Sequence, residues 1–178
     1  MLVYHAAITA AEDYLEHRAP HRQAHFDRIV GLRAQGFVIG GGPAPDGRTA
    51  DIFYRVAQPP DVVRLIEDDP YYLGKVWTAY TVRTFSQFIE PWELPPVVTD
   101  GSRRATLVEG VAQEADMATF ALIELRGASR LAFGGFFEEG ATLALLKTAD
   151  SAEASGWLAA TGFWRNETLT ARPFLYAL

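Results

Sequence analysis

The sequence contains no cysteine, and this absence excludes several kinds of chemistry. Disulfide bonds, zinc sites built from thiolates and cysteine nucleophiles cannot occur. Any reactive group must therefore be a histidine, a carboxylate, a hydroxyl, a lysine or an arginine. Only four histidines are present among the 178 residues, so the position of each one is informative.

An excess of positive charge is also lacking. Sixteen Lys and Arg against 22 Asp and Glu give a formal net charge of -6, which repels a phosphate backbone unless a local basic patch reverses it. The densest basic cluster, Arg103 and Arg104, falls in a stretch that we interpret as a linker. We therefore expect no nucleic-acid partner.

Long hydrophobic runs are absent as well. No segment approaches about 18 uninterrupted apolar residues, and the first residues lack the charged start and apolar stretch of a signal peptide. We therefore expect no membrane partner and a cytoplasmic location. The composition, 49% hydrophobic and 21% charged, is still that of a folded globular protein with a core.

The first half of the chain alternates between strand and helix patterns. Apolar residues recur at helical spacing from about Pro20 to Gln35, and Gly36 stands where a C-terminal glycine cap belongs. A second helix is predicted with Asp61 as its N-cap, ending before Pro70. The segments predicted as strands are, in chain order, Leu2–Ile8, 37–43, Asp51–Ala57 and Trp77–Phe85.

The same order of elements returns in the second half, after a stretch with proline, glycine and serine but no periodicity. We expect a linker over 93–104. Beyond it, the predicted elements are the strands 105–112, 131–137, 141–147 and 170–178, a helix over 114–126 capped by Gly127, and a helix over 151–160. Two copies of one unit are therefore predicted, with boundaries 1–92 and 105–178.

Strand, helix, strand, strand, helix, strand is the ferredoxin-like order of an antiparallel sheet with both helices on one face. The predicted class is therefore α+β: two ferredoxin-like repeats packed sheet to sheet as a pseudo-dimer of the dimeric α+β barrel type. Such a chain can be monomeric, because the two repeats bury each other's sheets, or it can form a further homodimer. The pattern does not choose between these states.

All four histidines, His5, His17, His21 and His25, lie near the N-terminus, and the second repeat has none. His25 is the strongest candidate for a reactive group, because Arg22 precedes it by three residues and a helix directs both side chains toward one end of the sheet. The alternative is a surface histidine that makes a capping bond.

Three carboxylates, Glu67, Asp68 and Asp69, stand at the predicted end of the second helix, where the helix dipole disfavours negative charge. An aspartate that accepts the Nδ1 proton of a histidine fixes its tautomer and raises its basicity. We therefore pair an aspartate of this group with a histidine. The alternative is that Asp68 and Asp69 only stop the helix ahead of Pro70.

A metal site is not predicted. His21 and His25 are four residues apart and can share a helix face, but the intervening glutamate of a metal motif is missing and Arg22 opposes a divalent cation. The run of glycines at 40–42 lacks the lysine and hydroxyl of a phosphate loop. It is interpreted as a turn, or as a place where the backbone approaches a ligand.

Taken together, four motifs of the first repeat resemble the YCII-related family. They are Arg18-x-x-x-Arg22-x-x-His25, Gly36 with Gly42-Pro43, Asp69-Pro70-Tyr71, and Val82-Arg83-Thr84-Phe85. The resemblance implies a ferredoxin-like fold that pairs as an α+β barrel, and it matches His25 and Asp69 to the family's histidine and aspartate of suspected enzymatic function. The second repeat departs from the pattern, with Ala160-Thr-Gly-Phe163 where Asp-Asp-Pro-Tyr would stand.

Our leading hypothesis is an enzyme of small-molecule metabolism, lyase-, isomerase- or hydrolase-like, that uses no cofactor. His25 would serve as general acid or base, Asp69 would orient it, Arg22 would bind an anionic group of the substrate, and Tyr4 or Tyr71 would line the pocket. The alternative is a non-catalytic protein that binds a small ligand or acts as a scaffold, with an aromatic-rich pocket and a structural histidine.

Overall fold

The computed structural model describes residues 1–102 and 104–178, so Arg103, half of the basic pair in the predicted linker, lies outside the described residues. By its internal contacts the chain divides into two compact units. Unit 1 consists of Met1–Thr84, Leu94–Gly101 and Tyr176–Leu178. Unit 2 consists of Phe85–Glu93 and Ser102–Leu175.

Unit 1 has a four-stranded antiparallel sheet in which the second and third strands form a hairpin. Its elements are β1 (Leu2–Ala10), α1 (Tyr14–His17), α2 (Arg22–Ala34), β2 (Val38–Pro43), β3 (Thr49–Val56), α3 (Pro59–Glu67), α4 (Pro70–Leu73) and β4 (Trp77–Thr84). The strand order is β2-β3-β1-β4, so β3 lies between β1 and β2. This is the split βαβ arrangement of a ferredoxin-like unit.

The core of unit 1 follows from strand alternation, because successive side chains of a strand point to opposite faces of the sheet. On β1, Tyr4, Ala6 and Ile8 belong to the same buried cluster as Ile29 of α2 and Ile66 of α3. The helices therefore cover that face of the sheet. His5, between Tyr4 and Ala6, points to the other face.

Unit 2 repeats this topology and adds one short strand at its edge. Its elements are β5 (Gln87–Ile89), β6 (Ala105–Val111), α5 (Ala115–Gly127), β7 (Leu131–Phe136), β8 (Ala141–Leu146), α6 (Ser151–Ala159) and β9 (Thr170–Phe174). The strand order is β5-β7-β8-β6-β9, and all pairs are antiparallel. The predicted fold class, two ferredoxin-like α+β repeats, is confirmed.

Two of the predicted helix ends are wrong. Asp61 is not an N-cap: α3 begins at Pro59, and Gln58 caps it. Proline is favoured in the first turn of a helix, since its missing N–H would have no partner there, and two prolines therefore set the start earlier. Gly127 is the last residue of α5, not its cap, and Ser129 takes the left-handed conformation, with φ 60°.

Residues 85–102, which include most of the predicted linker 93–104, are divided between the two units. Residues 85–93 belong to unit 2 because β5 pairs with β7. Residues 94–101 belong to unit 1, where the Val98 N–H donates to the Ala177 carbonyl over 2.9 Å. The last strand ends at Phe174, before the predicted Leu178, and the Ala177 and Leu178 amides instead donate to the Gly41 carbonyl of unit 1. Local composition carries no signal for such pairings between distant residues.

Within residues 1–102 and 104–178, no helix is both long enough and apolar enough to cross a bilayer.

Gly36 provides a test of the end of α2. Its φ is +80°, the Gly36 N–H donates to the Arg33 carbonyl, and the Phe37 N–H donates to the Leu32 carbonyl, as in a Schellman cap. A Cβ at Gly36 would contact nothing, so Gly36→Ala should destabilise the protein by about 1 to 2 kcal/mol through backbone strain alone. Urea unfolding measures the change.

Gly31→Ala is the matched control, because Gly31 lies inside the same helix and a Cβ added there would also contact nothing. Alanine at this position should stabilise the protein by up to about 1 kcal/mol. Equal effects of the two substitutions would contradict a left-handed cap at Gly36.

Candidate active site

The first turns of α2 bring His25 to Asp69, a residue 44 positions further along the chain. The His25 Nδ1 lies 2.7 Å from the Asp69 Oδ1. The N-cap position of α2 is occupied by His21, without a side-chain cap bond, and the Nδ1 of His25 is engaged by Asp69 and not by the start of the helix. The contact pairs the two residues predicted as catalytic; their catalytic role itself stays a prediction.

Asp69 lies in extended backbone between α3 and α4 and is fully buried. Its Oδ1 also accepts the Tyr71 N–H over 2.8 Å, which makes Asp69 the N-cap of α4, with Pro70 in the first turn. The residue therefore starts one helix and contacts a histidine of another with the same oxygen atom. The neighbouring Glu67 is engaged elsewhere, as its Oε1 accepts the Tyr80 hydroxyl over 2.7 Å.

This arrangement fixes the tautomer of His25. A carboxylate only accepts hydrogen bonds, so Nδ1 carries the proton and donates a hydrogen bond to the Asp69 carboxylate. Nε2 is then the nitrogen that carries the lone pair, and it has no hydrogen-bond partner among the described residues. Because the side chain of His25 is 19% exposed, Nε2 is available to a reactant.

Aromatic rings enclose the imidazole of His25. The Tyr71 ring stacks on it, with centroids 3.8 Å apart and an interplanar angle of 11°. The Trp77 ring meets it edge-on at 5.2 Å and 81°. Tyr14 in turn meets Tyr71 edge-on at 6.4 Å. These rings form a surface against which the flat face of a small molecule can pack.

Two arginines bring positive charge to this aromatic surface. Arg18 lies over the Tyr14 ring, with its guanidinium carbon 4.8 Å from the centroid, and donates to the Tyr14 hydroxyl over 3.2 Å. Arg22 is exposed at the start of α2. The charges of both arginines act on Tyr71, which places Arg22 within electrostatic reach of the ring that covers His25.

Burial raises the pKa of Tyr71 to about 12, and the neighbouring Tyr14 adds to the rise against the opposing effect of Arg18 and Arg22. The phenol therefore keeps its proton at neutral pH. Tyr71 can donate a hydrogen bond to a ligand, but it cannot act as a base there.

Asp69 is one of several residues in unit 1 with buried polar atoms that have no hydrogen-bond partner among the described residues. These atoms include the Asp69 Oδ2, the Arg28 Nε and the hydroxyls of Tyr54 and Tyr4. The Arg28 Nε is 3.8 Å from the Asp69 Oδ2, too far for a hydrogen bond. Leaving such an atom unsatisfied costs about 1–3 kcal/mol, so these atoms need an explanation.

The two tyrosines predicted to line the site occupy different places. Tyr71 contacts His25 directly. Tyr4 is buried on the helix-facing side of β1, directly opposite Tyr54 on β3, and belongs to the same buried cluster as Tyr71. Its ring lies in the core of the unit, and no contact between Tyr4 and His25 is observed in the described structure.

His21 and His17 do not join this site. The His21 ring packs on the backbone of Gly74, where a Cβ would lie 2.4 Å from its Nε2, and His17 pairs with Asp13 at 3.2 Å on the surface. Among residues 1–102 and 104–178, no three histidine or carboxylate side chains are grouped so that they could hold a metal ion.

A second histidine–aspartate pair, which the sequence analysis missed, lies on the opposite face of the same sheet. The His5 Nε2 is 2.6 Å from the Asp51 Oδ1, and both residues are buried. The Arg83 guanidinium donates to the His5 Nδ1 over 3.1 Å, so Nε2 carries the proton of this imidazole. The strand register sets His5 opposite Arg83, and no local pattern in the sequence specifies that register.

Sequence reasoning also missed Arg28, Tyr54 and Trp77. Arg28 follows His25 by three residues on α2, a spacing that puts both on one helix face, and this could have indicated it. Trp77 and Tyr54 reach the site through the order of the strands, which residue spacing does not reveal.

Comparison with solved structures supports the fold assignment across the whole chain. A proposed monooxygenase from Lactobacillus acidophilus NCFM matches with a TM-score of 0.63 and 12% identity, over 99% of this chain and 94% of that one. A proposed monooxygenase from Fusobacterium nucleatum matches with a TM-score of 0.59 and 7% identity, over 99% and 92%. A variant of chlorite dismutase from Candidatus Nitrospira defluvii matches with 0.55 and 9%, over 99% and 91%.

At these identities the likeness shows the fold alone. No family model matches the sequence, and no curated protein matches it.

Removing the carboxylate tests the geometry of the site without an activity assay. Asp69→Ala deletes the cap of α4 and leaves the buried Nδ1–H of His25 without its acceptor, so we expect a loss of about 1–3 kcal/mol in the free energy of unfolding. The ¹⁵N shifts of the His25 ring, recorded at about pH 8.5 where an ordinary imidazole is neutral, should show that Nδ1 no longer holds the proton exclusively.

Asp13→Ala is the control, because it removes an aspartate from an exposed histidine, with side chains 59% and 39% exposed. Exposed pairs contribute about 0–1 kcal/mol. A His25 ring whose ¹⁵N shifts are the same in Asp69→Ala and in Asp13→Ala would show that Asp69 does not fix the tautomer.

Proposed function

We propose that unit 1 is a small-molecule enzyme, lyase-, isomerase- or hydrolase-like, in which His25 transfers a proton at Nε2. The observation that carries the proposal is the 2.7 Å contact between the His25 Nδ1 and the fully buried Asp69, which leaves Nε2 free for a reactant. The proposal is also supported by the motifs that resemble the YCII-related family, a resemblance that matches His25 and Asp69 to that family's residues of suspected enzymatic function. We therefore propose membership of that family as well.

The proposed step follows from the charges of the pair. When Nε2 accepts a proton from a bound substrate, the imidazole becomes a cation whose other N–H already points at the Asp69 carboxylate. The buried negative charge stabilises that cation, and the same imidazolium can return the proton to a later intermediate. Asp69 keeps its own charge throughout and orients the ring.

The substrate we propose is a small molecule with a flat portion and an anionic group. The flat portion would pack against Tyr71 and Tyr14, and the anionic group would bind Arg22, with Arg18 adding positive charge nearby. Arginine suits a carboxylate because its donors are arranged as a planar fork. Tyr71, which stays protonated, would donate a further hydrogen bond.

The solved structures of this fold support an enzymatic role by analogy, because two are proposed monooxygenases and one is a variant of chlorite dismutase. One fold carries many chemistries, so this analogy does not select the reaction. A second candidate function is ligand binding without catalysis. The stacking of Tyr71 on His25 favours it, because an imidazole stacked in this way can also serve only to line a binding pocket.

His25→Gln tests the proposal. A panel of small aromatic and enolisable carboxylic acids is incubated with the protein, and products are detected by mass spectrometry. For any compound that turns over, His25→Gln should lower kcat by about 10²- to 10⁴-fold, the usual contribution of a general acid or base. His17→Gln, at a surface histidine outside the site, should leave kcat unchanged.

Undiminished turnover in His25→Gln would overturn the catalytic role. Saturable binding of a compound without any conversion by the unmodified protein would favour the second candidate.

Arg22→Ala tests the anionic group of the substrate. If Arg22 binds that group equally in the ground state and the transition state, its loss should raise KM by about tenfold with little change in kcat. Arg64→Ala removes an exposed arginine of α3 that pairs with Asp61, and it should change neither constant. An unaltered KM in Arg22→Ala would remove Arg22 from the binding site.

A further inference from the structure

Four parts of unit 1 contribute polar side-chain atoms that are buried without a hydrogen-bond partner among the described residues. The Asp69 Oδ2 comes from the α3–α4 junction, the Arg28 Nε from α2 and the Tyr54 hydroxyl from β3, and each is buried without a hydrogen-bond partner. The Tyr4 hydroxyl on β1, opposite Tyr54, is in the same condition. Buried polar atoms in folded proteins are almost always paired with protein or ordered water.

The first three atoms are complementary to one another but are not in contact. The Arg28 Nε and the Asp69 Oδ2 are 3.8 Å apart, beyond a direct hydrogen bond and well within the separation that one water molecule bridges. The rest of Arg28 is anchored, since its Nη2 donates to the Leu65 carbonyl over 3.2 Å. The guanidinium is therefore held beside the carboxylate without closing on it.

Tyr54 supplies the third partner. It is fully buried, its hydroxyl has no hydrogen-bond partner among the described residues, and it belongs to the same buried cluster as Ile66 and Tyr71, which flank Asp69 in the sequence. Burial raises the pKa of Tyr54 far above its ordinary value. The hydroxyl is therefore a hydrogen-bond donor at every pH at which the protein would be studied.

We propose that Asp69 Oδ2, Arg28 Nε and the Tyr54 hydroxyl bind one buried water molecule, and that Arg28 and Tyr54 are thereby positioning residues for Asp69. The donors and acceptors balance: the water accepts from Arg28 and from Tyr54, donates one hydrogen to Asp69, and keeps a second hydrogen for another acceptor. The carboxylate would then be held at both oxygens, Oδ1 by His25 and the Tyr71 N–H, Oδ2 by the water.

The water site does not depend on the proposed function, whereas the positioning role rests on it. The two are tested separately. A crystal structure of the unmodified protein at about 1.5 Å resolution should show one ordered water within hydrogen-bond distance of the Asp69 Oδ2 and of at least one of its two proposed donors. A direct bond from Arg28 or Tyr54 to Oδ2, with no water between, would overturn the proposal.

Tyr54→Phe tests the positioning role. It removes one donor to the water and changes no residue that contacts His25, so the Nδ1–H proton resonance of His25 should shift and its exchange with solvent should become faster. For a compound that the unmodified protein converts, kcat of the Tyr54→Phe variant should be lower by about tenfold or more while KM stays constant. The reason is that a less firmly held Asp69 carboxylate misplaces the imidazole of His25.

Tyr80→Phe is the matched control, as it also removes a tyrosine hydroxyl, here one bound to the exposed Glu67, and it should leave the His25 resonance unchanged. A Tyr54→Phe protein that folds and has an unaltered His25 resonance would overturn the positioning role. If that variant does not fold, the crystal structure of the unmodified protein still decides the water site. A His25→Gln protein that retains full activity would contradict the proposed function without contradicting the water site.

Discussion

The burial of one carboxylate, that of Asp69, is the constraint on which the candidate site depends. An ionised group in the interior is tolerated only when hydrogen bonds and opposite charge replace the water that it has lost. Asp69 meets this requirement with a backbone N–H from α4, an imidazole N–H from α2 and the nearby charge of Arg28. Two of these partners come from α2 and the third from α4, so the carboxylate ties α2 to the junction between α3 and α4.

The same requirement explains why the site lies where it does. Helices α2 and α3 cover one face of the sheet, and the junction between α3 and α4 brings Asp69 beside the start of α2. Pro70 ends any continuation of α3 and begins α4, which leaves Asp69 in extended backbone as a cap. His25 is then presented with one nitrogen buried and the other accessible, an asymmetry that an imidazole needs in order to move a proton in a defined direction.

Much of this could be predicted from sequence because it is encoded locally. Helical spacing followed by Gly36 predicted the end of α2, and the order of strand and helix patterns predicted both ferredoxin-like units. The pairing of His25 with Asp69 was inferred from residue types, since a carboxylate cluster ahead of a proline and a histidine early in a helix each lacked a full local explanation. The start of α3 was predicted wrongly because the preference of proline for the first turn outweighed the capping preference of Asp61.

The remaining parts of the site depend on strand order and register, which no local pattern specifies. Trp77 begins β4 and Tyr54 lies near the end of β3, and only the folded sheet brings either of them to α2. The pair His5 and Asp51 is hidden for the same reason, and strand alternation directs it to the face away from His25. The apolar periodicity of a unit thus predicts its scaffold, while its polar contacts require the assembled sheet.

The second unit shows how separable scaffold and site are. It retains the strand order and the helices of the first, yet its sequence has no histidine, and one of its buried polar contacts is a Trp164 indole N–H that donates to the Thr142 hydroxyl over 2.9 Å, a pairing with no titratable group. Apolar residues at the right spacing are enough to keep such a unit folded, so its polar positions are free to change. The solved structures of this fold, with 7% to 12% identity, are consistent with the same rule. For this reason the chemistry of the chain must be argued from His25, Asp69 and their neighbours, and not from the architecture that holds them.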